Sequence, residues 1–195
     1  MLKISQLMRV DVYVPKKGRS GKSHAAGGRS DGVQTLPKRD LNTLGKVHLA
    51  VFSPEGDRLV GLLVRRPDIA GMVRREDVFL ALDSFAVGTI GLVVTRPKDG
   101  VDDAARNRLG IDWDRCIIWE GMDARTTDGK DLGWVSDVEF SPKTGRVQSF
   151  FVGDGSVAKS LVGNVVIPVD MLRGYRDGYM LVDRAAAALA LDGGL

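Results

Sequence analysis

The chain has 195 residues, 44 % of them hydrophobic and 27 % charged, with a net charge of +3. That length bounds it to one or two domains, and a single cysteine, Cys116, excludes an intrachain disulfide. No apolar run approaches the ~18 residues a membrane helix needs, and Lys3, Arg9 and Asp11 interrupt any signal-peptide core, so the expected compartment is the cytoplasm.

In chain order, Val10–Val14 (VDVYV) alternates as a strand does. A polar stretch of 29 residues, Pro15–Thr43, follows. It holds seven basic residues, Lys16, Lys17, Arg19, Lys22, Arg29, Lys38 and Arg39, against Asp31 and Asp40. Lys16–Asp40 therefore carries +5 and the rest of the chain −2, so the pI of 9.1 belongs to one segment. Its Gly/Ser/Lys/Arg composition predicts a flexible insertion, because it has too little apolar surface to offset chain ordering. Val47–Phe52 reads as the next strand, closed by the turn Ser53-Pro-Glu-Gly-Asp-Arg58. Leu49 and Val51 make this strand apolar on both faces, which predicts cover by another domain or a partner.

Pro97–Glu120 reads as a connector. Asp102 and Asp103 open a short Ala/Arg run that ends in Arg106, Arg108 and Gly110, the charge order of one short helix. Cys116–Trp119 (CIIW) reads as a buried strand. Asp123–Thr126, the Asp128-Gly129 turn, Trp134–Phe140, the turn Ser141-Pro-Lys-Thr-Gly-Arg146 and Val147–Val152 read as successive strands and hairpins. Val165–Val169 and Tyr179–Asp183 supply later strands, with Pro168 confined to an edge or a strand end. Met171–Leu172 is expected to begin a helical turn, and Arg184–Leu191 to form a terminal helix.

The chain repeats itself. Leu44–Val64 aligns on Leu132–Val152 at an offset of 88 without a gap, with 8 of 21 positions identical. The identical pairs are Leu44/Leu132, Gly45/Gly133, Val47/Val135, Phe52/Phe140, Ser53/Ser141, Pro54/Pro142, Arg58/Arg146 and Val64/Val152. After a one-residue slip, Val78–Phe85 aligns on Val165–Leu172 and Gly91–Val94 on Gly178–Leu181. Three matches in one order predict one unit folded twice.

The run Asp128-Gly-Lys-Asp-Leu-Gly-Trp-Val through Thr144-Gly-Arg-Val147, then Ile167-Pro-Val-Asp170 and Tyr179-Met-Leu-Val182, resembles the PRC-barrel family. The first copy resembles it less, reading Leu80-Ala-Leu-Asp83 in place of the Ile-Pro-x-Asp run. The likeness extends to the barrels of the ribosome maturation factor C-terminal domain and of the photosynthetic reaction-centre H subunit. It implies an all-β chain of two small PRC-type, SH3-like barrels in tandem. Residues 1–96 are the first, with the insertion 15–43; 97–115 connect; 116–184 are the second; and 185–195 are a tail.

The chemical motifs fail on context. Gly21-Lys22-Ser23 lacks the first glycine of a phosphate loop, and Gly28-Arg-Ser-Asp-Gly32 lies in a polar insertion rather than on a strand-to-helix turn. Gly153-Asp-Gly155-Ser-Val-Ala158 leaves no room for a crossover helix before Val165. His24, His48 and Cys116 lack the spacing of a metal site, and Asp123, Asp128 and Asp131 do not follow a calcium loop. No catalytic, cofactor-binding or metal-binding residue is assigned. The reading is a non-catalytic binding or scaffold protein with a protein partner, linked to RNA processing or ribosome maturation. Direct nucleic-acid binding by the seven basic residues of 16–39 is the alternative, since Lys/Arg neutralise phosphates without a preformed pocket. An enzyme with an unrecognised site ranks third.

Overall fold

In a computed structural model, the structure describes residues 1–16, 37–68, 74–153 and 165–192. The three glycine motifs rejected above, apart from Gly153, lie outside the described residues, as do Lys17, Arg19, Lys22, His24 and Arg29. The strands are β1 (Leu2–Lys3), β2 (Asp11–Pro15), β3 (Leu41–Phe52), β4 (Leu59–Arg65), β5 (Val78–Ala81), β6 (Phe85–Gly88) and β7 (Gly91–Val94). After helix α1 (Asp102–Leu109) come β8 (Asp123–Thr126), β9 (Asp131–Phe140), β10 (Val147–Gly153), β11 (Val165–Pro168), β12 (Leu172–Arg176) and β13 (Tyr179–Val182), then helix α2 (Ala186–Asp192).

The chain is all-β, with two barrel-like sheets of identical topology. One runs β5-β4-β3-β2-β7-β6 and the other β11-β10-β9-β8-β13-β12, with β1 added to β9. In each, the first strand pairs parallel with the last strand of its copy, β2 with β7 and β8 with β13, while β6–β7 and β12–β13 are antiparallel. Val47, Ala50 and Phe52 on β3 match Val135, Val138 and Phe140 on β9, all buried. The step of three residues breaks strict alternation, and on β9 a register shift opposite Phe151/Val152 accounts for it. Pro168 ends the edge strand β11, where its missing N–H costs the ladder nothing.

The chain divides into two compact units that are not consecutive in sequence. The first comprises Met1–Met8, Leu49–Gly61 and Ile111–Leu195; the second comprises Arg9–His48 and Leu62–Gly110. In the first unit the N-terminal residues extend the β8–β13 sheet: Leu2 pairs with Phe140 and Lys3 with Glu139. Ile117 makes the corresponding bridge to Phe52, with N–H···O distances of 2.8 and 3.1 Å. The expected strand Cys116–Trp119 is thus a single bridge after a 3-10 turn at Trp113–Arg115. Ile117 and Trp119 are buried as expected. Trp119 sets its ring edge-on to Phe150, centroids 5.6 Å apart, and its Nε1–H donates to Gly56 O at 2.9 Å. Gly56 is indispensable there: its φ is +77°, and a Cβ would stand 2.2 Å from the indole.

In the second unit β2 and β3 pair from Asp11↔Lys46 to Pro15↔Leu41. The ladder therefore takes in Pro15 and Leu41–Thr43, which the composition of the insertion had suggested were outside it. Backbone pairing overrides local composition because it satisfies the N–H and C=O groups that face the partner strand. Helix α1 has the acidic start and basic end read from the sequence, and Gly110 closes it at φ +61°. The turn expected at Met171–Leu172 lies at Val169–Met171, and Leu172 already begins β12. Trp134 is 41 % exposed, since it falls on the outward row of β9. Among the described residues no helix is long and apolar enough to cross a membrane.

Candidate functional site

Three groups of side chains stand where chemistry or recognition could occur. The first is the neck of the basic insertion. Lys16 N–H donates to Asp40 O at 3.0 Å, and its Nζ donates to Arg39 O at 2.6 Å. A 3-10 turn at Lys38–Asp40 leads into β3. Strand pairing on one side and this turn on the other bring Lys16, Lys38 and Arg39 together, all three exposed. With Asp40 in the same turn the rim carries three cations and one carboxylate, and that net positive charge favours an anion near it. Of the seven basic residues singled out, these are the three that the described structure includes.

The second group is the outward row of β3. Val51 is buried and Leu49 half-buried within the first unit, which includes both. Their counterparts on β9 are Asp137 and Glu139. Asp137 accepts from the backbone N–H and the hydroxyl of Ser5, and Glu139 accepts from the Ser149 hydroxyl at 3.4 Å.

The third group is a set of ion pairs in the second unit. Arg108 places both Nη atoms on the Asp83 carboxylate at 2.6 and 2.7 Å, and Arg96 grips Asp99 with Nε at 3.2 Å and Nη2 at 2.6 Å. The Arg108 fork beside Asp83 holds its carboxyl below the usual range, and Arg96 does the same for Asp99. Arg108 Nε also donates to Asp99 O, and Gly100, packed against Ser84, lets the chain turn between them. Every donor here meets a fixed acceptor, so the cluster ties α1 to the turn after β5 rather than presenting a poised acid or base. The matching position in the first unit is wired differently. Arg173 donates to Asp170 O and to the Asp183 carboxylate, both at 2.8 Å. Asp183 is held low by the Ala185 N–H first and by Arg173 second.

Sequence reasoning missed the pair His48 and Asp77, whose Nδ1 and Oδ2 lie 2.9 Å apart with Arg65 against the same ring. The residues are 29 apart in sequence, on β3 and before β5, and no spacing signals such a contact. Among the described residues no hydroxyl or thiol hydrogen-bonds to this imidazole, so the part-buried contact has the form of a polar tie rather than of a nucleophile and base. Among the described residues no group of three or more His, Cys, Asp or Glu is placed to hold a metal ion.

Residues 119–189 match the family model of the PRC-barrel domain. The matched span runs from Trp119 through all six strands β8–β13 into α2. A search of curated proteins finds no match to the chain.

Proposed function

We propose that this chain is a non-catalytic binding and scaffold protein built on two PRC-type barrels, recruiting a protein partner in RNA processing or ribosome maturation. The observation that carries this reading is the filled interior of the sheet that matches the family. Trp119, Phe140, Phe150, Ile167 and Met180 are fully buried along its inward face. A small barrel packed with side chains has given its interior to stability, which leaves recognition to the outer faces and loops. The same topology in the first copy, with the inward row Val47, Ala50 and Phe52 buried, supports reading it as a second PRC-type module.

Affinity capture with the full chain, identifying both co-purifying protein and RNA, tests the proposal. Deleting residues 17–36 is expected to leave protein capture intact. Leu49→Asp is expected to weaken capture while circular dichroism still reports a folded chain. Capture that survives Leu49→Asp and disappears with the deletion would reverse the assignment.

A second reading, direct nucleic-acid binding through the basic segment, is favoured by one observation: Lys16, Lys38 and Arg39 converge at the base of that segment. Binding of this kind loses affinity as salt rises, with a log–log slope of about −0.7 per phosphate neutralised on a single strand. The segment has no aromatic residue to stack bases, so little sequence preference is expected. Neutralising Lys16, Lys17, Arg19 and Lys22 should abolish it; an unchanged salt slope would count against it.

A further inference from the structure

Within the first unit, the turns Ser53–Arg58 and Ser141–Arg146 meet around a local two-fold axis. Leu59 N–H donates to Gly145 O and Val147 N–H donates to Asp57 O, both at 2.8 Å. Donors and acceptors are each one repeat interval of 88 apart, so the contact is reciprocal. At its centre Arg58 and Arg146 form an antiparallel bridge, and both are exposed. The hydrogen bonds flank this pair rather than join it, the arrangement in which opposed side chains come closest, with Cβ atoms ~4.5–5.5 Å apart on one face.

Like charges directly opposite one another weaken a ladder. Among the described residues neither guanidinium has a carboxylate partner. Lys143 is exposed on the same turn as Arg146. Glu55 and Asp57 lie on the other turn, where Asp57 accepts from the Ser53 hydroxyl at 3.3 Å, and neither carboxylate forms an ion pair with Arg58 or Arg146. Packing or turn geometry explains the other identical pairs between the copies over this run. Valines and phenylalanines are buried at both positions, Ser and Pro lie in the turns, and Gly45 and Gly133 answer to a close backbone approach and a positive φ within their strands. Arg58/Arg146 is the one identical pair of this run that is charged and exposed, and there equivalent positions of the two copies pair directly with each other.

A guanidinium presents parallel N–H donors that match an oxyanion bidentately. The two oxygens of a carboxylate satisfy one such fork, whereas a phosphate has oxygens enough for two. We propose that Arg58 and Arg146 form a two-fold clamp for a phosphate group, free or carried on a nucleotide. The bound anion then offsets the repulsion that the symmetric pairing creates. This assignment is independent of the docking role and of the basic segment.

Calorimetric titration of the full chain with inorganic phosphate and with a nucleoside monophosphate tests it. Binding of at least one is expected, weakened about tenfold by either Arg58→Gln or Arg146→Gln and lost in the double variant, since each removes one charge-assisted fork. Neutralising Lys16, Lys38 and Arg39 together should leave the binding intact. Without phosphate the double variant should melt at the same temperature as the parent or higher, and added phosphate should raise the midpoint of the parent alone. Tighter binding of the nucleotide marks the phosphate as nucleotide-borne, and equal binding marks it as free; either supports the clamp. No binding of either anion, binding unchanged in the double variant, or binding lost with the Lys16/Lys38/Arg39 changes would overturn it.

Discussion

Leu49 and Val51 on β3 occupy the ladder positions that Asp137 and Glu139 occupy on β9, yet the two pairs have opposite chemistry. On β9 the outward carboxylates receive the N-terminal segment. Asp137 takes two donors from Ser5, and Lys3 pairs beside Glu139. On β3 the outward row is apolar, with Val51 buried. The inward rows barely differ, reading Val, Ala, Phe in one copy and Val, Val, Phe in the other. Register in a sheet is enforced by the face that is buried, because a slip of one residue would turn that whole face outward. With register secured from inside, the outer faces of duplicated sheets are free to diverge and take different neighbours.

Exchanging these outer residues is the most severe way to break the comparison. Val51→Glu places a carboxylate where no partner awaits it, and should cost ~3–5 kcal/mol in denaturant unfolding. The reverse change, Glu139→Val, should stay within about 1 kcal/mol, as it removes only a long hydrogen bond from Ser149. Equal costs for the two would mean that the rows are interchangeable and that burial of Val51 has no energetic consequence.

Trp119→Phe sharpens the comparison at the bridge regions. It keeps most of the edge-on packing with Phe150 but leaves the buried Gly56 carbonyl without its donor, for an expected loss of ~1–3 kcal/mol. A change of Trp119 to Phe without loss would show that the indole acts through its bulk alone.

The smallest effect is expected at the ion pairs. Asp83→Asn removes a bidentate partner from Arg108, but the Asp83 side chain is 49 % exposed, so solvent screening limits the cost to ~0.5–1 kcal/mol near neutrality. The sign of its pH dependence follows from the lowered carboxyl. Stability from Asp83 is present above the unfolded carboxylate value of ~3.9 and is lost as pH falls through the lower folded value. Asp83→Asn should therefore flatten the acid limb of the stability curve below about pH 4. Asp183→Asn should flatten the same limb through a different source, the Ala185 N–H, so the two variants should add. A curve unchanged by Asp83→Asn would remove Arg108 from the account of how α1 is held.

Much of this was open to sequence reading because it is local. Asp128-Gly129, Gly145 and Gly56 announce turns by their own conformational freedom, and the observed φ values of +87°, +74° and +77° agree. Gly45 and Gly133 look alike in the repeat but are required for different reasons. A Cβ on Gly45 would stand 2.1 Å from the Arg65 carbonyl oxygen, whereas Gly133 takes a φ of +102°. The Arg58/Arg146 identity was visible as a repeated letter, but nothing in the run says that the two letters face each other. The exposure of Trp134 was likewise hidden, since an aromatic residue on a strand reads as core until its row is known.

The strands β2, β3, β8 to β11 and β13, the turns Ser53–Arg58, Asp128-Gly129 and Ser141–Arg146, the helix α1 and the duplication of one unit were determined by the sequence itself, because hydrophobic spacing and turn chemistry act over a few residues. Only the tertiary structure decided that residues 1–8 join the sheet of the second repeat, that Ile117 bridges Phe52, and that the two arginine turns meet. Those pairings join residues that are 65 to 138 positions apart. Such contacts are chosen by the total burial and backbone pairing of the folded chain, and no local pattern encodes them.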